Sequence, residues 1–174
     1  MESFNNVVIE TIMNRSSVRS YKSDQVNDQA LGVILKCGIQ APNGWNHQPW
    51  DIVYVQDKTF LDELNLAITG NSGSSVFYHA PTVVFISGDK RDDYYASDCS
   101  LAAQNMVIAA SSLDIGSCII AYLTDFLNSE KGQKYKTQLK IPEGYEVCVS
   151  VALGYATSMT HSPGPRDANK IRKY

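Results

Sequence analysis

Residues 14–21 read Asn-Arg-Ser-Ser-Val-Arg-Ser-Tyr, so the guanidinium groups of Arg15 and Arg19 bracket the hydroxyls of Ser16 and Ser17. Planar Arg forks beside short hydroxyl donors suit a phosphate or carboxylate, which accepts several charge-assisted hydrogen bonds at once. The same cluster is compatible with a solvated helix end that holds no ligand. A second stretch, residues 41–50 (Ala-Pro-Asn-Gly-Trp-Asn-His-Gln-Pro-Trp), packs amides and indoles between two prolines. That composition stiffens the backbone and gives the donors fixed directions. A third, beyond residue 155, is a Pro-rich arm in which Arg166, Lys170, Arg172 and Lys173 outnumber Asp167. Read alone, it is a solvated basic tail.

Other catalytic constellations are missing. His47, His79 and His161 show no H-x-x-x-H spacing, and there is no G-x-S-x-G elbow, Walker loop or G-x-G-x-x-G turn. This pattern disfavours a hydrolase or a metalloenzyme, and no metal site is expected. In its amide-rich loop His47 reads as a hydrogen-bonding residue rather than a base. Cys37, Cys99, Cys118 and Cys148 are scattered without C-x-x-C spacing and read as reduced core residues. Asn14-Arg15-Ser16 matches a glycosylation sequon, which carries no meaning without a secretory signal.

The 174 residues suit a single domain spanning 1–174, and 44% hydrophobic with 19% charged residues is ordinary for a soluble protein. A net charge of -3 provides no basic field for nucleic acid. No apolar run reaches membrane-spanning length and no h-region opens the chain, so a cytoplasmic protein with small-molecule or protein partners is expected.

The elements that must position the chemistry follow from periodicity. Residues 3–14 carry Phe4, Val7, Val8 and Ile12 at helical spacing, which places the Arg/Ser cluster at a helix exit. Asn27 or Asp28 can cap a helix whose stripe is Leu31, Ile34, Leu35 and Ile39, and Asp57 one over 58–68 that Gly70 closes. Strands are expected at 51–55, 82–87, 116–122 and 146–153, the last alternating Val147, Val149 and Val151 against Cys148, Ser150 and Ala152. Residues 69–78, rich in Gly and Ser, read as a mobile connection that could serve as a lid. Residues 95–113, low in charge and rich in alanine, read as a central helix, and Thr124 or Asp125 as the cap of the next one. Helices and strands are interleaved too closely for a regular βαβ series, so the fold class is α+β with a small mixed or antiparallel sheet flanked by helices.

Taken together, Arg15-Ser16-Ser17-x-Arg19, the string Ala41-Pro42-x-x-x-Asn46-x-Gln48-Pro49-Trp50 and the Gly154-Tyr155 strand end with its basic arm resemble the nitroreductase family of FMN-dependent oxidoreductases, in order and spacing. The resemblance runs from Arg15 to Arg166, and the Ala-Pro to Pro-Trp string is its most specific part. It implies a homodimer with FMN at the subunit interface. Arg15, Ser17 and Arg19 would meet phosphate, ribityl and flavin-ring polar atoms, with Ser16 contributing its backbone. Pro42, Asn43, Gly44 and Asn46 would line the isoalloxazine of the partner subunit, with Gln48 bracing the loop. Ile119, Ile120 and Ala121 would occupy the run that covers one ring face, and Tyr122 stands where the family usually has Gly. Arg166, or Lys170 or Arg172 in its place, would close on the phosphate, and Asn71 would face the pyrimidine edge.

The activity implied is ping-pong: NADH or NADPH passes hydride to the flavin, leaves, and is replaced by a nitroaromatic, quinone or related acceptor. The protein then supplies positioning and charge rather than an acid or base, and no catalytic side chain is expected. The alternative is a flavin-binding storage or redox-sensing protein with little reductase turnover, suggested by the short connection at residues 88–95.

Overall fold

A computed structural model describes residues 6–158 and 164–174. Helix α1 (Val7–Asn14) opens at Asn6, whose Oδ1 accepts from the amides of Val8 and Ile9 at 3.0 and 3.1 Å. The expected start at Ser3, with Phe4 on the apolar face, lies outside the described residues. Asn27 caps α2 (Asp28–Gly38) and Asp57 caps α3 (Lys58–Thr69) in the same manner. Each side-chain cap contributes about 1 kcal/mol by satisfying amides that the first helical turn leaves free. Gly70, left-handed at φ 66°, ends α3 and returns its amide to the Leu66 carbonyl.

The strands are β1 (Trp50–Val55), β2 (Thr82–Asp89), β3 (Gly116–Ile120) and β4 (Tyr145–Gly154). They form one sheet in the order β1-β2-β4-β3, and every neighbouring pair is antiparallel. The one described parallel pairing is an isolated bridge from Ser17 to Ser117 at the β3 edge. β3 stops at Ile120, so Ala121 and Tyr122 lie beyond the strand expected to contain them.

Helices cover both faces. Along β2, Val84 and Ile86 point toward α2 and α4 (Tyr95–Ser112), where they meet Ile34, Ala103 and Met106. Val83 and Phe85 point the other way, toward Leu64 of α3 and toward Phe77, whose ring stands edge-on to Phe85 at 6.1 Å. Burying an aromatic of this size contributes on the order of 3 kcal/mol. Helix α4 is the expected central element, buried through Cys99, Ala102, Ala103, Met106 and Ala110.

Two local expectations are corrected. Strict alternation along β4 fails, because a register shift pairs Ile86 with Val149 but Ser87 with Val147. Such a bulge sends consecutive residues to one face, so Cys148 and Val149 both pack toward α4. Neither Thr124 nor Asp125 caps the next helix: α5 (Thr124–Leu127) begins after Leu123, without a side-chain cap. Leu123 and Leu127 are fully buried, and packing sets the start of this single turn. A 3-10 turn and α6 (Gln133–Gln138) complete that layer. Among the described residues no helix is long and apolar enough to cross a membrane.

Candidate functional site

Beyond α1 the Arg/Ser cluster becomes a strap along the outer edge of β3. The Val18 amide donates to the Ser117 carbonyl (2.9 Å), and the Lys22 amide to the Tyr155 carbonyl (2.8 Å). Inside the strap the Tyr21 hydroxyl donates to the Val18 carbonyl at 2.7 Å. Gly116 permits the close approach, since a Cβ there would come within 3.0 Å of both Val18 Cγ2 and the Gly154 carbonyl. Val18 and Tyr21 are thereby buried, while Arg15, Ser16 and Ser17 remain half-buried and Arg19 exposed. The strap thus covers a strand edge and displays its polar side chains along it.

Among the described residues neither arginine forms an ion pair with a carboxylate. The Arg19 guanidinium carbon lies 5.8 Å from the centroid of the Tyr78 ring. The Tyr78 hydroxyl, followed by the Cys118 sulfur, holds the Arg19 pKa above its ordinary value. Burial pushes the Cys118 thiol up against the opposing pull of Arg19, Ser17 and Arg15, so it stays neutral near pH 7. A cleft of about 140 Å³ opens beside Arg15, Ser16, Ser117, Ser158 and Asp114. Uncompensated guanidinium groups with hydroxyls on a half-buried edge make an anion receptor, and this donor set fits a phosphate-bearing ligand.

The 41–50 loop is built differently. Trp45, Asn46 and Gln48 have φ of 53°, 59° and 50°, a left-handed path that internal bonds stabilise. Asn43 Oδ1 accepts from the Gln48 amide (2.9 Å), and buried Asp98 accepts from the Gly44 amide (3.0 Å). The Tyr94 ring packs on Gly44, where a Cβ would meet it at 2.5 Å. His47 Nδ1 bonds Asp92 Oδ2 at 2.7 Å. The Asn43 side chain thus braces the loop itself and the Gly44 amide ties it to α4, while Pro42, Asn46 and the 81% exposed Trp45 form its outer surface. The brace at Gln48 is its backbone, taken by the Asn43 side chain.

Of the run after Cys118, Ile119 (40% exposed) and Ala121 face outward, whereas the Ile120 side chain is buried in the core. Only the backbone of Ile120 is therefore available to a ligand on this edge. Asn71 turns back on its own loop, its Oδ1 accepting from the Gly73 amide at 2.8 Å. The end of that connection is anchored rather than free, with Val76 and Phe77 buried and the Val76 amide bonded to Asn65 Oδ1 (2.9 Å). Residues 164–174 are exposed throughout, and Arg166 donates to the nearby Gly164 carbonyl (2.9 Å). His161 and Pro163 lie outside the described residues.

Within one chain the two halves of the expected site are not brought together. Ser17 sits at the β3 edge opposite the end of β4, whereas the 41–50 loop enters β1 on the other edge, opposite its start. Three strand spacings put about 14 Å between those edges, and the register adds roughly 20 Å along the strands. Sequence reasoning missed Tyr78, the neutral neighbour of Arg19, and Asp98, the anchor of Gly44. Neither has a spacing signal, because each meets its partner only through the tertiary fold.

This architecture, an antiparallel sheet between helical layers with an Arg/Ser strap on one edge, defines a recognisable class. The sequence matches the model of the Nitroreductase family over residues 12–71 and 65–155, and the chain belongs to that family. Its fold is similar to that of a nitroreductase with bound FMN from Bacteroides fragilis, at 32% identity and TM-score 0.93, covering 98% of this chain and 100% of that one. A nitroreductase with bound FMN from Desulfitobacterium hafniense gives 28% identity and TM-score 0.89 over 98% and 100%. An Archaeoglobus fulgidus protein, named provisionally as an NADH dehydrogenase/NAD(P)H nitroreductase, is 30% identical over 152 residues, 84% of each chain.

Proposed function

We propose that the chain is an FMN-dependent NAD(P)H oxidoreductase that acts as a homodimer on small planar acceptors of the nitroaromatic or quinone class. The observation that carries this reading is the strap itself, where Arg15 and Arg19 stand beside Ser17 without carboxylate partners among the described residues, in a fold shared with FMN-bound nitroreductases. When bound, FMN would supply the redox chemistry that links NADH or NADPH to the acceptor in a ping-pong exchange.

The chain's own residues bind and orient. Arg15, Ser16 and Ser17 hold phosphate and ribityl oxygens, Arg19 a polar edge of the flavin, and Arg166, Lys170 or Arg172 of the arm neutralises remaining phosphate charge. Ile119 and Ala121, with the Ile120 backbone, bound one ring face, and Asn71 meets the pyrimidine edge. Pro42 and Asn46 reach the flavin of the partner subunit from the loop that Asn43 and Gly44 keep in shape.

Two features support the shared site. The loop and the strap lie on opposite edges of the sheet in one chain, too far apart to touch one ligand ring, which supports a site completed by a second copy. An apolar surface also lies on the α1, α2 and α4 helices: Val7 (70%) and Met13 (69%) are exposed, and a groove of about 550 Å³ is lined by Val8, Val33, Ile108 and Leu113. A patch of this kind is buried in an assembly rather than left in water.

Purified protein mixed with FMN should gain the flavin spectrum and bleach when NADH or NADPH is added without oxygen. A colourless protein that takes up no FMN overturns the reading, and one that binds FMN but does not bleach is a flavin store or sensor. Sedimentation should find a dimer.

A further inference from the structure

Tyr78 and His79 are consecutive residues with φ of 57° each, in the left-handed region that side-chain-bearing residues rarely adopt. The turn that contains them is held on both sides. Upstream, the Asn65 side chain donates to the Ser74 carbonyl (2.7 Å) and accepts from the Val76 amide (2.9 Å). The Tyr122 hydroxyl donates to the Val76 carbonyl (3.2 Å), tying the turn to the exit of β3. Downstream, the His79 amide donates to Ser75 Oγ (3.0 Å), and the Ala80 amide to the Phe77 carbonyl (3.0 Å). Backbone strain that the surroundings over-determine in this way is found where a side chain has to be aimed.

What the turn aims is the Tyr78 ring, which stands 5.8 Å from the Arg19 guanidinium carbon. A phenol orients a guanidinium without cancelling its charge, by cation–π attraction and by its oxygen. A carboxylate in that place would neutralise Arg19 and remove its value to an anionic ligand. Tyr122 braces the same turn through its bond to the Val76 carbonyl.

We infer that Tyr78 is the positioning residue of the flavin seat: the strained 75–80 turn, braced by Tyr122, presents a neutral aromatic surface that holds Arg19 toward the bound flavin. This rests on the reading of Arg19 as part of the FMN site given above.

The test is a double-mutant cycle on FMN binding, read by quenching of flavin fluorescence on titration into flavin-free protein. Arg19→Ala and Tyr78→Ala should each weaken FMN binding about 10-fold. Tyr78→Phe, which keeps the ring, should recover most of that loss, to within about 3-fold of the parent. Arg19→Ala/Tyr78→Ala should bind no more weakly than Arg19→Ala alone, because Tyr78 acts through Arg19. Tyr122→Phe, lacking the bond to Val76, should weaken binding about 2-fold, an effect that also vanishes in the Arg19→Ala background. Additive losses in the double variants, or parent-like FMN affinity in Tyr78→Ala while Arg19→Ala is weakened, overturn the inference and leave the flavin site intact. A parent that binds no FMN overturns the site and the inference together. If Tyr78→Ala does not fold, the Tyr78→Phe and Tyr122→Phe arms decide by the same criterion of additivity.

Discussion

The strap at residues 15–19 and the corner at residues 89–98 use similar side chains and treat them in opposite ways. At the corner Asp89, Lys90, Arg91, Asp92 and Asp98 each find a partner in their own chain, while Asp93 stays exposed to solvent. Arg91 grips Asp89 through Nε at 2.9 Å, and His47 bonds Asp92, while Lys90 pairs with Glu146 at 2.7 Å. Asp98 takes the Gly44 amide. The Arg91 guanidinium holds the Asp89 carboxyl down at about 2, and His47, with the Tyr94 amide, holds that of Asp92 below its ordinary value. On the strap Arg15 and Arg19 have no such partners among the described residues, and a phenol, Tyr78, stands beside Arg19. Charges matched within the chain shape a loop, whereas charges left unmatched on a half-buried edge are available to a ligand.

The sharpest way to break this contrast is to remove one arginine from each region. Arg19→Ala should weaken FMN retention on dialysis by about 10-fold, the value of a charge-assisted bond, with little change in thermal midpoint. Arg91→Ala should leave flavin retention unchanged. Equal flavin loss in the two variants would erase the distinction between them.

Asp98→Ala should cost about 1–3 kcal/mol in urea unfolding, because it strands the Gly44 amide and opens a void beside α4. Hydrogen exchange at Gly44 should quicken in the same variant. Asn43→Ala, which releases only the Gln48 amide of a largely exposed loop, should cost about 1 kcal/mol and speed exchange at Gln48.

The smallest effect is the pH dependence of the corner. Asp89 has a folded pKa below its ordinary 3.8, so its stabilising contribution is complete above about pH 4 and is lost as pH falls toward 2. Asp92 acts in the same direction. Urea midpoints measured at pH 5 and pH 2.5 should therefore fall more in the parent than in Arg91→Ala, and equal acid losses would show that the pair contributes nothing.

Local signals in the chain were legible wherever physics within a few residues decides the outcome. Asn27 and Asp57 cap the helices expected of them, and Gly70 ends α3 through a conformation that suits glycine. The alanine-rich run from Tyr95 forms the central helix because small side chains allow close packing on several sides. Alternation along β4 misled at Cys148, since a bulge depends on the partner strand and leaves no trace in hydropathy. The cap expected at Thr124 failed for a related reason: buried Leu123 and Leu127 outweigh one hydrogen bond in so short a helix. Ile120 was expected at the flavin face, yet the parity of β3 turns its side chain into the core.

By itself the sequence determined the four longer helices, the caps of α2 and α3, the set of strands, and a family resemblance carried by the strap and by the Pro42 to Trp50 string. These depend on covalent geometry and short-range periodicity, which any reader of the chain possesses. Only the tertiary structure decided that the strap runs along β3, that the Gly44 amide is taken by Asp98 of α4, and that Tyr78 stands beside Arg19. Those outcomes depend on which distant surfaces pack together. The free energy that chooses between packings is a sum over the whole core, and no residue pair reveals it in advance.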